Sequence, residues 1–339
     1  MKRALTYNDV LLIPQYSDIK SRSEVDISNS LGDLKLDSPI ISSPMDTVTE
    51  TAMAIAMHKA GGLGIIHRYG SIETQAELAF NTLVAGECGV GAAVGVTENY
   101  LDRSTALYDA GVRILCVDVA HGHHALMRAA LGELRDVFGD TVHLMAGNVA
   151  TREGYEALVD WGADSVRCNI GGGSICSTRI QTGHGVPGLQ TIFDCASSDR
   201  DAPIIADGGI RNSGDIVKAI AAGADFVMVG SLLAGTDEAP GLVVTSKRGK
   251  NYKVYRGMAS RDAQRDWRGR LTSAPEGVST TVPYKGSVDI ILQDLNMGIR
   301  SGFSYSGARS VIEFQTKAKF VQQTNASQVE STAHISRSR

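Results

Sequence analysis

The chain lacks any cysteine pair spaced as a redox or zinc motif. Its five cysteines are Cys88, Cys116, Cys168, Cys176 and Cys195, an odd number with no CxxC. That argues against a disulfide framework and fits a reducing compartment. No apolar stretch is long enough to span a bilayer, and Met1-Lys-Arg-Ala-Leu-Thr-Tyr7 has no apolar signal segment. A cytoplasmic protein with no membrane partner is therefore expected. An excess of one charge is also missing. The formal net charge of −4 argues against general affinity for nucleic acid. His121, His123 and His124 have no matching Cys, His or carboxylate spacing to complete a zinc shell. That loop reads as polar surface. No repeat beyond a strand–helix unit and no second domain is visible, so residues 1–339 read as one catalytic domain.

Short apolar runs alternate with amphipathic stretches. The runs are Pro39–Met45, Gly62–His67, Gly89–Gly95, Val112–Ala120, Val142–Val149, Ser165–Ile170, Pro203–Gly209 and Asp225–Ser231. They are continuously apolar rather than alternating, as parallel strands buried on both faces require. Helical patterns fall at Glu50–Ala60, Glu73–Val84, Leu126–Phe138, Glu153–Trp161 and Gly214–Ala222, many followed by a closing glycine. This spacing predicts a TIM (β/α)8 barrel, with a doubly wound open sheet as the alternative. After the eighth run comes an insertion, about residues 236–286, before the next helical pattern at Val288–Gly298. It far exceeds the usual βα connection of about 2–6 residues. Its polar part, Arg261–Gly277, shows no apolar periodicity and reads as a mobile flap over the barrel mouth. The Ser/Gln/Thr-rich tail, about residues 324–339, reads as poorly ordered on its own.

In such a barrel, ligands bind where the strands finish. The run ends carry Ser43-Pro-Met-Asp46, His67-Arg68, Asp118-Val-Ala-His121, Asn148, Asp207-Gly-Gly209 and Gly230-Ser231. Asp207-Gly208-Gly209 and Gly230-Ser231 follow the seventh and eighth runs, where barrels often bind phosphate through backbone N–H groups. Asp207 then suits a ribose hydroxyl pair, and the ligand is a nucleotide. Cys176 lies in Gly171-Gly-Gly-Ser-Ile-Cys-Ser-Thr-Arg179, a segment with almost no side-chain bulk. Three glycines let a backbone approach a ligand closely. A structural cysteine has no need of that; a nucleophile does. Cys88, Cys116 and Cys195 read instead as small buried hydrophobes, and Cys168 is ambiguous.

The chain resembles the inosine monophosphate dehydrogenase / guanosine monophosphate reductase family. The resemblance rests on Ser43-Pro-Met-Asp-Thr-Val-Thr-Glu50, Gly61-Gly-Leu-Gly-Ile-Ile-His67, Gly171–Arg179, Ala206-Asp-Gly-Gly209, Tyr255-Arg-Gly-Met258 and Val282-Pro-Tyr-Lys-Gly286. It implies a TIM barrel, a homotetramer and a purine nucleotide monophosphate substrate attacked at C2 by Cys176. It also implies NADPH as cofactor and K+ held by the backbone carbonyls of Gly171, Gly173 and Cys176. Thr178 and Glu276 would move protons. Ser43, Met45, Asp207, Gly208, Gly209, Gly230, Ser231, Tyr255, Gly257, Met258, Ala259 and Gly277 would bind substrate. Ser21, Arg22, Arg68, Asp118, Val119, Ala120, Ile170, Gly171, Ser301 and Gly302 would bind cofactor, with Arg68 and Arg22 taking its extra phosphate. No room exists between the helix after Glu73 and the Cys88 run for the regulatory modules of many dehydrogenases.

Within the family the reductase is the better match. Ser21-Arg22, Asp118-Val-Ala120 and Thr182-Gly183 resemble it, and the short flap lacks the Arg-Tyr dipeptide with which dehydrogenases activate water. Purine salvage by GMP reduction is therefore expected. IMP oxidation with NAD is the alternative, with Arg265 or Arg268 activating water. A non-catalytic nucleotide-binding regulator is a third reading. Several positions depart from the family pattern. Gly172 stands for a common proline, Cys168-Asn169 for Val-Gly, Pro187-Gly188 for Pro-Gln, and Ser273 for an arginine.

Overall fold

A computed structural model describes residues 3–86, 89–271 and 273–331. Eight parallel strands close into a barrel. They are β1 (Ile40–Ser42), β2 (Leu63–Ile66), β3 (Gly91–Val94), β4 (Ile114–Asp118), β5 (His143–Val149), β6 (Ser165–Cys168), β7 (Ile204–Asp207) and β8 (Phe226–Val229). Each falls inside one of the eight apolar runs, and β8 pairs with β1 to close the ring. The barrel expectation holds, and the open sheet is excluded. The sequence signal was clear because these strands are buried on both sides. Ile41, Leu63, Ile65, Cys116, Met145, Ile205, Phe226 and Met228 fill the interior, and a larger shell of apolar contacts joins strands to helices. A hairpin, Asn29–Leu31 with Leu34–Leu36, adds Leu31, Leu34 and Leu36 to that interior cluster.

The outer helices follow the strands: α1 (Thr51–Lys59), α2 (Ile72–Gly86), α3 (Tyr100–Asp109), α4 (Ala125–Phe138), α5 (Arg152–Asp160), α6 (Thr178–Thr182), α7 (Gly188–Ala196) and α8 (Ser213–Ala221). Side-chain caps set several starts: Thr151 accepts from Gly154 N at 3.1 Å and Asn212 from Asp215 N at 2.9 Å. Residues 87–90 are all that separates α2 from β3. Cys88 lies outside the described residues.

The insertion is more ordered than its composition suggests. A three-stranded antiparallel sheet, β9 (Val244–Thr245), β10 (Asn251–Arg256) and β11 (Ser279–Pro283), frames it. The stretch read as an unpatterned flap contains a helix, α9 (Arg261–Arg268). Ser260 caps its start, accepting from Ala263 N at 3.2 Å, and left-handed Gly269 ends it. Only Ala263 and Gln264 are buried on it, too few for an apolar period to show.

The next helix, α10, runs Val288–Ser304, past the expected end at Gly298. Gly298 is not a stop. A Cβ there would lie 2.3 Å from Ser213 Oγ of α8, and one at Gly302 would lie 2.6 Å from Val217. Both glycines serve close helix packing. The tail is also partly ordered. After α11 (Val311–Lys317), Phe320–Gln322 pairs with Val10–Leu12, and Thr324 caps α12 (Asn325–Glu330). Residues 332–339 of the expected loose tail lie outside the described residues.

Candidate active site

A cavity of about 700 Å³ opens at the C-terminal ends of the barrel strands. Every catalytic and substrate-binding residue named from the sequence lines it, together with Arg68, Asp118, Val119, Ala120, Ile170, Gly171 and Gly173. Four expected cofactor residues do not. Ser21 and Arg22 lie at a short 3-10 turn, Arg22–Glu24, that packs against α10, the helix carrying Ser301 and Gly302. None of the four lines the cavity. Gly302 is accounted for by its contact with Val217.

The Cys176 loop connects β6 to α6. Gly171 takes φ 78°, left-handed backbone that favours glycine. Cys176 N donates to Gly173 O at 3.1 Å, a turn that presents the thiol to the cavity. Cys176 Sγ lies 3.1 Å from Thr178 Oγ1, close enough for proton exchange. The other described cysteines are fully buried. Burial pushes the Cys116 thiol up to about 12 and the Cys168 thiol well above its ordinary value, so these are structural. The ambiguity at Cys168 is thereby resolved.

The flap is laid directly on this loop. Cys176 and Gly277 form an antiparallel bridge. Ser177 N donates to Glu276 O at 2.9 Å, and Val278 N donates to Ile175 O at 3.0 Å. Glu276 N in turn donates to Ala259 O at 3.1 Å. Isolated backbone bridges thus join the Cys176 loop, Gly277 and the Ala259–Ser260 segment. The flap is tied to the barrel as well: Arg256 pairs with Asp46 of the β1–α1 loop at 2.6 Å and with Asp266 of α9. Of the two flap arginines singled out from the sequence, Arg268 lines the cavity and Arg265 does not.

Against this loop, Gly208 and Gly209 follow β7 with φ 81° and 76°, and a Cβ on Gly208 would lie 3.3 Å from Gly173 Cα. Gly208 N donates to Met228 O at 3.2 Å, which leaves the rest of this turn as the part that could offer backbone N–H groups to an anion. At Gly230 a Cβ would lie 3.1 Å from the Tyr255 hydroxyl and 3.2 Å from Met45 Sδ. A bare backbone is needed to leave that space. Burial raises the Tyr255 pKa, so its hydroxyl stays protonated and can donate.

Sequence reasoning missed the most buried charge at the site. Arg167 of β6 points into the barrel with 6% of its side chain exposed. Its NH1 donates to Asp118 Oδ1 at 2.6 Å, and its NH2 and Nε donate to Asp207 Oδ2 at 2.8 and 3.2 Å. Asn148 Nδ2 adds a bond to the same Oδ2 at 2.8 Å. Burial opposes the guanidinium's charge, but the nearby Cys116 sulfur, Asp207 and Asp118 outweigh it and raise its pKa. Asp207 Oδ1 accepts no bond among the described residues, so it is open to a ligand hydroxyl. The only hint in the sequence was an arginine inside an apolar run.

Three departures from the family pattern prove to be one spatial unit. Asn169 adopts φ 137°, a backbone conformation that favours glycine. Its Nδ2 donates to Asp207 O at 2.9 Å and Gly208 O at 3.3 Å, tying down the glycine turn. A Cβ on Gly172 would fall 2.0 Å from that Nδ2, and one on Gly188 would fall 3.0 Å from it. The asparagine therefore occupies space that these two glycines leave. Gly172→Ala alone is expected to cost about 1–3 kcal/mol by overpacking. In an Asn169→Gly background the same change should cost much less, a non-additivity that denaturant titration of the four proteins would show.

The carbonyls expected to hold potassium, on Gly171, Gly173 and Cys176, belong to the Cys176 loop; the Gly173 carbonyl also accepts from Cys176 N at 3.1 Å, which leaves it a second lone pair. Among the described residues no group of three or more His, Cys, Asp or Glu side chains is arranged to hold a metal ion. His124 instead caps α4, and His123 packs on Trp161. No described helix is long and apolar enough to cross a membrane.

Comparison with known proteins agrees with this geometry. The model of the IMP dehydrogenase / GMP reductase domain matches residues 4–334. An inosine-5'-monophosphate dehydrogenase of Nitrosopumilus maritimus is 35% identical over 470 aligned positions, covering 98% of this chain and 98% of that protein. A GMP reductase of Leishmania major is 33% identical, covering 98% of this chain and 97% of that protein. Both alignments are longer than the 339 residues here, so these relatives carry inserted residues that this chain lacks. A crystal structure of a Cys-to-Ala variant of Trypanosoma brucei GMP reductase, in complex with guanosine 5'-monophosphate, superposes with a TM-score of 0.92. It is 33% identical and covers 98% of each chain.

Proposed function

The chain belongs to the IMP dehydrogenase / GMP reductase family of oxidoreductases, and on that premise we propose that it reduces GMP to IMP and ammonia with NADPH. The observation that carries this reading is the flap. It lies across the Cys176 loop through Glu276 and Gly277, and it lacks the Arg-Tyr pair by which a dehydrogenase would activate water. Hydrolysis of a covalent intermediate needs water at C2; reductive deamination benefits from its exclusion.

In this mechanism the Cys176 sulfur bonds to C2 of the purine. Thr178, 3.1 Å from that sulfur, takes up and passes on the thiol proton. Together with the Glu276 carboxylate it delivers a proton to the departing 2-amino group. Ammonia leaves, and the base remains attached to the enzyme as a thioimidate. A reduced nicotinamide bound in the cavity would supply the hydride that C2 receives. The C–S bond then breaks and the thiolate is restored, giving IMP. General acid–base help of this kind contributes about 10²–10⁴ in rate. Asp207 Oδ1 would bind the ribose, and the Gly208–Gly209 and Gly230–Ser231 turns would hold the 5'-phosphate. Arg68 supports cofactor binding: its Nε is buried and makes no hydrogen bond, a state that an acidic ligand would relieve.

The competing reaction, oxidation of IMP with NAD, has Arg268 in its favour, since that side chain lines the cavity. Two mixtures decide between them. GMP with NADPH should oxidise the cofactor, and IMP with NAD should leave it unchanged, as read by absorbance of the reduced nicotinamide. Reduction of NAD by IMP alone would overturn the reading. Silence in both mixtures would favour a nucleotide-binding regulator.

A further inference from the structure

Helix α9 of the flap buries little that is apolar. Only Ala263 and Gln264 are buried on it, and Gln264 is 4% exposed. An apolar side chain would fill that space without the cost of burying an amide, so the amide is there for what it bonds. Its Nε2 donates to Ala259 O at 3.1 Å, and its Oε1 accepts from Ser273 N at 3.3 Å. One side chain thus joins the segment leaving β10 at Ala259 to the segment returning at Ser273. The Ala259 carbonyl receives a second donor, Glu276 N at 3.1 Å. Both of its lone pairs are used, and Gln264 steadies the carbonyl on which the Glu276 backbone rests. Among the described residues nothing hydrogen-bonds the Glu276 carboxylate itself. Its place in the cavity depends on main-chain anchors. These are Glu276 N on Ala259 O, Ser177 N on Glu276 O at 2.9 Å, and Ser177 Oγ on Pro275 O at 3.2 Å.

We propose that Gln264 is a positioning residue for Glu276. Through the Ala259 carbonyl and the Ser273 N–H it holds the Glu276 carboxyl where it can protonate the 2-amino group as the C2–N bond breaks. The proton passes from that carboxyl to the departing nitrogen, ammonia leaves with the C2–N electron pair, and no other reactant enters the step. The inference rests on the reductase reading and gives a role to a side chain which that reading leaves unassigned. Gln264 lines the cavity, but both ends of its amide are engaged by the flap, so it acts through Glu276 and not on the base.

The loss of Gln264 should fall on one step. Gln264→Met fills the same space without the amide. It should lower kcat for GMP by roughly 10–100-fold, the scale of a misplaced catalytic group, while GMP affinity by calorimetry stays within about twofold of wild type. The 2-chloro analogue of IMP loses chloride, which needs no proton, before the thioimidate takes its hydride. The variant should therefore reduce that analogue with NADPH at the wild-type rate. A side chain that merely stiffens the flap would slow both substrates equally, and that result would overturn the proposal. Gln264→Glu supplies a second arm. Its carboxyl donates and accepts like the amide when protonated, but cannot donate to Ala259 O when ionised. Burial lifts a carboxyl above its ordinary value of about 4.3, so kcat relative to wild type should rise at least about threefold from about pH 8 to about pH 6. A flat ratio would overturn the proposal even if Gln264→Met failed to fold. Wild-type protein that leaves NADPH unoxidised with GMP would remove the reductase reading itself. An active wild type matched by Gln264→Met would remove only the positioning role.

Discussion

Cys176→Ala is expected to lower turnover by roughly 10⁴-fold or more while GMP still binds. The sulfur has no substitute in the cavity. Cys116, Cys168 and Cys195 are sealed in the core, and burial holds the first two far from their thiolate forms. The groups assigned to nucleotide binding, Asp207, the glycine turns and Tyr255, do not depend on the thiol. Loss of rate without loss of affinity is therefore the signature to look for. Isothermal titration with GMP and a progress curve with NADPH measure the two sides. Wild-type protein quenched during turnover should also carry a purine nucleotide mass on the peptide containing Cys176. A variant that keeps more than a few per cent of activity would remove the covalent route.

Arg167→Leu is expected to destabilise the protein by about 3–5 kcal/mol, the usual result of removing one partner from a buried ionic group. Here the loss falls on two carboxylates, Asp118 and Asp207, whose side chains are 19% and 13% exposed. The melting temperature should drop by many degrees, since 1 kcal/mol corresponds to roughly 2–4 °C in domains of 150–250 residues. GMP affinity should fall too, because Arg167 and Asn148 together fix Asp207 Oδ2. Arg167→Lys should recover only part of the stability. A single ammonium cannot reproduce the fork that reaches both carboxylates at once. Thermal denaturation of the three proteins is the measurement. An Arg167→Leu variant melting with the wild type would show that the bridge contributes nothing.

The flap and the site differ in how far they can be read ahead. Cys176 announces itself through three glycines next to it in the chain, and Asp207 through the two that follow. Helix α9 gives almost no warning, because only Ala263 and Gln264 are buried on it. Gly298 misleads: it looks like a helix end but marks where α10 touches Ser213. Asn169 reads as an isolated departure until its amide is seen filling the room left by Gly172 and Gly188. Arg22 and Arg68 are both plausible cofactor cations on paper, and of the two only Arg68 lines the cavity.

The sequence by itself determined the eight-stranded barrel, and it singled out the mouth as the candidate working face and Cys176 as the candidate nucleophile. Those depend on apolar period, turn glycines and near neighbours, all written locally. Only the tertiary structure decided which cation meets which acid. Arg167 joins Asp118 and Asp207 across separations of 49 and 40 residues. Such partners are selected by the closing of the ring, which brings strand ends together regardless of their distance along the chain.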